Sequence, residues 1–382
     1  MPLPIARRPT CYATPLWPTV FLCSGGTSTH AWNYLDIHIE QLFDVGMRWD
    51  DQAVRADDGA LPGLQRLGFV RSVRTPQFEG ITFHEVLCKS ALNKVPAASM
   101  LPFRYTVNGY RGCSHACRYC FARPTHEYLE FDSGTDFDTQ VVVKTNVAEV
   151  LARELRRRSW ARETVALGTN TDPYQRAEGR YALMPGIIAA LSDSATPFSI
   201  LTKGTLLRRD LPQIAEASRR VDVSVAVSLA VGDPELHRTV EPGTPSPEAR
   251  LGLIAAIRDA GLRCHVMVAP VLPYLTDSAA QLDDLLGRIA AAGAGSVTVF
   301  GLHLRGTTRG WFMSWLQRER PELVADYQRL YRRGAYLPPD YRDMLRTRVR
   351  PLVARHGLTG PAPAARVGPV YETPAPTQPA LF

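Results

Sequence analysis

Three cysteines, Cys113, Cys117 and Cys120, fall within eight positions of the stretch NGYRGCSHACRYCFARPTHEY, and no fourth follows nearby. Thiolates this close together suit a soft metal centre. A structural zinc ion is normally closed by four ligands in paired motifs. His115 and His126 could complete such a set, but their spacing does not resemble a finger. An electron-transfer cluster also takes four cysteines, and the next candidates, Cys88 and Cys264, lie far off in the chain. A set of three makes chemical sense when the fourth position is put to use. A 4Fe-4S cluster on three thiolates keeps one iron open, so that binding a small molecule and passing it an electron become one event. Spacing alone leaves all three readings standing. Disulfides are the poorest explanation, because the cysteines number seven and no convincing secretory signal precedes them.

The elements around this loop can be read from periodicity. Short apolar or β-branched runs, FRYTVN, TVALGT, PFSILT, VDVSVAVSLA, CHVMVAPVL and SVTVFGLHL, alternate with longer stretches of helical spacing. TPSPEARLGLIAAIRDAG has Ser246 to cap a helix, Pro247 at its first turn and Gly261 to stop it, and TDSAAQLDDLLGRIAAAG repeats the pattern up to Gly293. Six strand-helix alternations predict a parallel sheet of right-handed crossovers, with both faces covered. The expected fold class is α/β, a partial (βα)6 TIM-type barrel with a helical C-terminal extension. In such sheets ligands gather at the carboxyl ends of the strands. There the sequence reads GTNTDPYQ, LTKG, VSLAVGD, APVLP and HLRG, and Lys203 stands out in a chain with four lysines.

The C-x3-C-x2-C spacing, with Tyr119 just before the last cysteine and on the first strand-to-helix loop, resembles the radical S-adenosylmethionine (radical SAM) superfamily. NGYRGCSHACRYCFAR, TNTDPYQRAE, LTKGTLLRRD, VSLAVGDPELHRTVEPGTPSPEARL and APVLPYLTDS resemble, more narrowly, its branch related to spore photoproduct lyase, over roughly residues 90–305. The resemblance implies a 4Fe-4S cluster on Cys113, Cys117 and Cys120, with S-adenosylmethionine on the open iron. Reductive cleavage of that cofactor would give a 5'-deoxyadenosyl radical that abstracts hydrogen. It also implies an external flavodoxin- or ferredoxin-like electron donor and a DNA or other nucleic-acid substrate. Carried over by position, Asp172 and Lys203 meet the methionine end of the cofactor, Ser228 lies against its ribose or carboxylate, and Tyr119 flanks the adenine or the radical path. Thr169 is the departure: the lyase has a hydrogen-donating cysteine there, and a hydroxyl is a far poorer hydrogen-atom donor. Phe121 likewise stands where the lyase has a tyrosine. Cys264, His303 and Arg305 are the remaining catalytic or substrate candidates. Rival expectations are radical chemistry on a protein or small molecule, and a non-catalytic zinc or iron-sulfur module that binds nucleic acid.

Composition sets the limits. The 382 residues are 45% apolar, enough for a large core, and no run is apolar for long enough to span a bilayer, so the expected setting is the cytoplasm without a membrane partner. Between Gly301 and Arg355 twelve arginines face five acids, a local excess equal to the chain's net charge of +7. Seven aromatic residues interleave with those arginines, a composition for a nucleic-acid groove or for an amphipathic pair in which Trp311, Phe312, Trp315, Tyr327 and Tyr331 pack on the barrel; packing is the favoured expectation. The expected divisions are a leader at 1–46 with a true start at Met47, an extension at 47–95, the barrel at 96–305, helices at 306–357 and a Pro/Ala-rich tail at 358–382. The leader holds Cys11 and Cys23 without a partner motif. The tail ends in QPALF, which resembles the peptide by which bacterial repair proteins dock on the sliding DNA clamp.

Overall fold

The computed structural model describes residues 54–55, 62–95 and 103–360. The leader, Met47 and the QPALF peptide with Leu381 and Phe382 lie outside the described residues. In chain order the strands are β1 (Val54–Arg55), β2 (Phe69–Arg74), β3 (Thr82–Val86), β4 (Leu92–Lys94), β5 (Tyr105–Val107), β6 (Tyr110–Arg111), β7 (Gln140–Lys144), β8 (Val165–Leu167), β9 (Phe198–Thr202), β10 (Val223–Ser228), β11 (Cys264–Val271) and β12 (Ser296–Gly301). The helices used below are α1 (Val147–Leu155), α2 (Leu183–Asp193), α3 (Leu211–Ala217), α4 (Pro234–Val240), α5 (Pro247–Asp259), α6 (Ala279–Ala291), α7 (Thr307–Glu319), α8 (Val324–Leu330) and α9 (Pro339–Arg355).

The six apolar runs form β5 and β8 to β12, in a sheet ordered β12-β11-β10-β9-β8-β5-β4. Every pair from β5 to β12 is parallel, and β4 adds an antiparallel edge. This is the partial (βα)6 barrel that the alternation predicts. Helices α1, α2, α3, α5 and α6 make the crossovers, and their apolar stripes enter one core with the strands through residues such as Leu151, Ile188, Ile214, Ile254 and Leu286. The caps form as read. The Ser246 hydroxyl accepts from the Ala249 amide, Ser278 makes a reciprocal capping box with Gln281, and Gly261 and Gly293 end the helices at positive φ.

A second sheet, ordered β1-β2-β3-β7-β6, is absent from the sequence expectation. Its strands come from both sides of the cysteine loop, and β3 pairs in parallel with β7 across more than fifty residues, a pairing that local periodicity cannot reveal. It leaves the cysteine loop as an excursion between β6 and β7.

After β12 the chain packs back on the barrel. Phe312, Trp315, Tyr327 and Tyr331 are buried with Leu302 and Leu304, as the packing expectation has it, whereas Trp311 is only half-buried. Helix α9 then lies against α6 and β12 through Leu345 and Leu352. Among the described residues no helix is long and apolar enough to cross a membrane.

Gly168 closes β8 at a φ of +91°, where an added Cβ would stand 2.0 Å from the Leu201 carbonyl oxygen. Gly168→Ala therefore combines a backbone penalty of about 1–3 kcal/mol with a clash against fixed backbone. Gly261, at +76° with nothing within 4 Å, has the backbone penalty alone. Urea unfolding is expected to rank Gly168→Ala clearly below Gly261→Ala, and equal midpoints would contradict this view of the β8 end.

Candidate active site

The cysteine loop is fixed by its own peptide groups before its thiols are considered. The Cys113 amide donates to the Phe137 carbonyl at 2.9 Å, the Arg118 amide to Val240 at 2.9 Å and the Gly243 amide to His115 at 3.1 Å. Gln175, from the loop after β8, donates to the Gly112 carbonyl at 3.0 Å and accepts from the Ser114 amide at 3.0 Å. Arg123 is wholly buried. Its guanidinium donates to the Cys117 carbonyl at 2.9 and 3.1 Å, pairs with Asp138 at 2.8 Å and lies 4.8 Å from the Trp311 ring. Trp311 thus helps to brace the loop from α7. The Gly243 position has no room for a side chain, since a Cβ would come within 2.0 Å of the Ser114 carbonyl.

The three thiols are free, and all three line a cavity of about 230 Å³ at the carboxyl ends of the strands. Burial pushes Cys117 well above the usual thiol range and Cys120 up to about 11. Left to themselves Cys117 and Cys120 would stay protonated at neutral pH. A soft cationic centre that binds thiolates fits them, because coordination supplies the charge that burial withholds. Among the described residues no three or more His, Cys, Asp or Glu side chains are grouped closely enough, as they stand, to hold a metal ion. The three thiols share that one cavity.

Opposite them the strand ends supply polar groups. Lys203 follows β9; its ammonium donates to the Ser228 hydroxyl at 2.6 Å and lies 3.7 Å from Glu241. Those two contacts leave a third N–H for a ligand. Asp172 lines the cavity too, but its carboxylate already accepts from the amides of Lys203 at 2.6 Å and Tyr174 at 2.9 Å, from Thr202 and from His115 at 3.3 Å. It therefore braces the β8 and β9 ends. Burial opposes a charge on His115, but Cys113 and Asp172 outweigh it and push the imidazole up to about 10.

Beneath this layer Glu241 has no exposed surface. It pairs with Arg250 at 2.7 Å, accepts from the Tyr119 hydroxyl and faces Lys203. Burial would raise its carboxyl, yet Arg250 and Lys203 together hold it down at about 2. Tyr119 thus lines the cavity with its hydroxyl already committed.

Of the residues singled out from the sequence, the structure brings Cys113, Cys117, Tyr119, Cys120, Thr169, Asp172, Lys203, Ser228 and His303 to this cavity. Arg305 stands outside it, exposed, with its guanidinium 4.9 Å from the Tyr336 ring. Cys264 must be corrected as a catalytic candidate. It begins β11, so it sits at the opposite end of a strand whose Met267, Ala269 and Pro270 reach the cavity. Its thiol is core, and burial pushes it up to about 12. Cys88 does not line the cavity either. Sequence reasoning missed Glu241 and Arg250 and weighed His115 only as a zinc ligand. A carboxylate just past a short helix carries no periodic signal, and its importance emerges only when the fold buries it.

Residues 107–286 match the family model described as Radical SAM superfamily. An uncharacterized protein of Mycobacterium tuberculosis is 78% identical over 325 residues, 83% of this chain and 96% of that one. An uncharacterized protein of Methanocaldococcus jannaschii is 26% identical over 197 residues, 50% of this chain and 69% of that one. Among solved structures, spore photoproduct lyase with bound AdoMet and dinucleoside spore photoproduct shares the fold, with a TM-score of 0.54 at 14% identity over 72% of this chain and 79% of that one.

Glu241→Gln would leave Arg250 buried without its counter-charge, at an expected cost of about 3–5 kcal/mol in denaturant unfolding. The Glu241 carboxyl is held at about 2 against an ordinary 4.5. Its contribution is therefore present above pH 4.5 and lost as pH falls toward 2. The variant should lack that part of the acid dependence, and an unchanged stability would contradict the network.

Proposed function

The chain belongs to the radical SAM superfamily, whose cofactors are a 4Fe-4S cluster and S-adenosylmethionine, and from that premise we propose that it abstracts hydrogen from a nucleic-acid substrate, DNA foremost. The observation that carries the radical chemistry is the single cavity shared by three unbridged thiols, Lys203 and Ser228. Cys113, Cys117 and Cys120 would hold the cluster. Bound together, the two cofactors supply a 5'-deoxyadenosyl radical once an external flavodoxin- or ferredoxin-like donor provides an electron. Lys203, whose side chain is largely buried, would offer its remaining N–H to the cofactor's carboxylate, where such a bond is strong. Asp172 and Glu241 hold that lysine in place from its amide and its ammonium.

Support for a nucleic-acid substrate comes from the fold shared with spore photoproduct lyase, which has been solved with a dinucleoside photoproduct. The repair relay itself is not carried over. The Thr169 hydroxyl donates to Asn108 at 3.3 Å, and among the described residues the thiols lining the cavity are those of the cluster motif. The proposed reaction therefore draws no returning hydrogen from position 169.

Anaerobically reconstituted protein, reduced with dithionite in the presence of S-adenosylmethionine, is expected to form 5'-deoxyadenosine, and the variant with all three motif cysteines changed to alanine is expected to form none. Zinc in place of iron in anaerobically prepared native protein would overturn the reading. Lys203→Met should raise the S-adenosylmethionine concentration needed for half-maximal cleavage by about 10- to 100-fold, and an unchanged requirement would remove Lys203 from the cofactor site.

A further inference from the structure

Outside the cavity a groove of about 640 Å³ runs between β12 and α9. β12 is the last strand of the barrel sheet, bridged at Ser296 by Thr359. The floor is apolar, with Val299, Leu345 and Val349 among its residues, and one wall carries Arg342, Arg346 and Arg350. These arginines recur every fourth residue on one helix, so their attachment points rise by about 6 Å each. All three are exposed. Asp343 contacts Arg346 at 2.8 Å, but both side chains are largely in solvent, where such a pair contributes little and yields to a stronger anion.

The groove and the cavity meet. Phe300 and His303 line both, Phe121 lines the cavity and Tyr336 lines the groove. The rings form a continuous series centred on His303, with centroid separations of 6.2 Å to Phe121, 6.4 Å to Phe300 and 5.9 Å to Tyr336. Phe121, Phe300 and Tyr336 are 53%, 40% and 54% exposed. Large aromatic side chains left partly in water beside an arginine ladder, at the mouth of a reactive cavity, call for a ligand that is both polyanionic and aromatic.

Resting on the nucleic-acid reading of the cavity, we propose that the groove between β12 and α9 binds a single strand of nucleic acid. Arg342, Arg346 and Arg350 take successive phosphates, and Phe300, His303 and Tyr336 stack on unpaired bases. Arg305, already over the Tyr336 ring, extends the positive rim toward the mouth. Ring faces can be covered by bases only where those bases are unpaired, and a base reaches a cavity only out of its stack. The strand would thus deliver one nucleotide past Phe121. A peptide pairing along β12 would use neither the arginine spacing nor the ring faces.

The test is fluorescence anisotropy with the full-length, reconstituted protein, without reductant or S-adenosylmethionine. The probes are a labelled oligodeoxynucleotide of about a dozen nucleotides and a duplex of the same sequence. Replacing Arg342, Arg346 and Arg350 with serine should weaken single-strand binding by about 10- to 100-fold at low salt and flatten the slope of log affinity against log salt by about 2. Phe300→Ala with Tyr336→Ala should weaken it by about tenfold or more with the slope retained. Replacing Arg156, Arg157 and Arg158, exposed arginines that do not line the groove, with serine removes the same charge and should leave affinity within about twofold. Equal loss in both arginine variants, tighter binding of the duplex, or no binding of the strand would overturn the proposal. Because no cofactor cleavage is involved, such a result would leave the radical chemistry to be judged by 5'-deoxyadenosine alone.

Discussion

The site depends on one carboxylate that never meets water. Glu241 joins the cysteine loop through Tyr119, helix α5 through Arg250 and the β9 end through Lys203. A buried charge is tolerable only when paired and hydrogen-bonded on every side. Its partners Tyr119, Lys203 and Arg250 come from three separate segments of the chain, so satisfying it forces those segments into one arrangement. Arg250 adds a bond to the Ser228 carbonyl at 3.0 Å, which carries the constraint to the end of β10. The ammonium of Lys203 is thereby aimed by structure already in place, which is what a preorganised binding site requires.

A second constraint acts on the thiols from the other side. Arg123 gathers the carbonyls of Cys117 and Gly134 and the carboxylate of Asp138, with aromatic rings against its faces. The three thiols are unbridged, so the loop that carries them depends on this support. Helix α7 contributes Trp311 to the clamp, so the C-terminal helices belong to the stability of the cysteine loop as well as to the shape of its entrance.

Much of the barrel was legible in the sequence because its signals are local. Six apolar runs, the Ser246 and Ser278 caps and the glycine stops at 261 and 293 each declare themselves within a few residues. The cysteine motif and Lys203 were legible because rare residue types stood at strand ends. What stayed hidden was non-local: the pairing of β3 with β7, the burial of Glu241 and the meeting of the groove and cavity at His303. Cys264 was misjudged although the signal was present: it opens the run CHVMVAPVL, and ligands gather at the carboxyl ends of such strands. The arginine-rich helices follow the packing reading, in which the aromatic residues turn to the barrel and the arginines face water. Phe312, Trp315, Tyr327 and Tyr331 went to the core, while Tyr336 and the arginine ladder of α9 remain in solvent.

The central claim is that three thiolates hold a cluster whose open iron is shared with a cofactor gripped by Lys203 and its supports. It is tested most directly by electron paramagnetic resonance of the reduced, anaerobically reconstituted protein as S-adenosylmethionine is added. The account predicts the signal of a reduced 4Fe-4S cluster that changes shape on addition and saturates, with the change weakened in Lys203→Met. A cluster signal indifferent to S-adenosylmethionine at any concentration would contradict it.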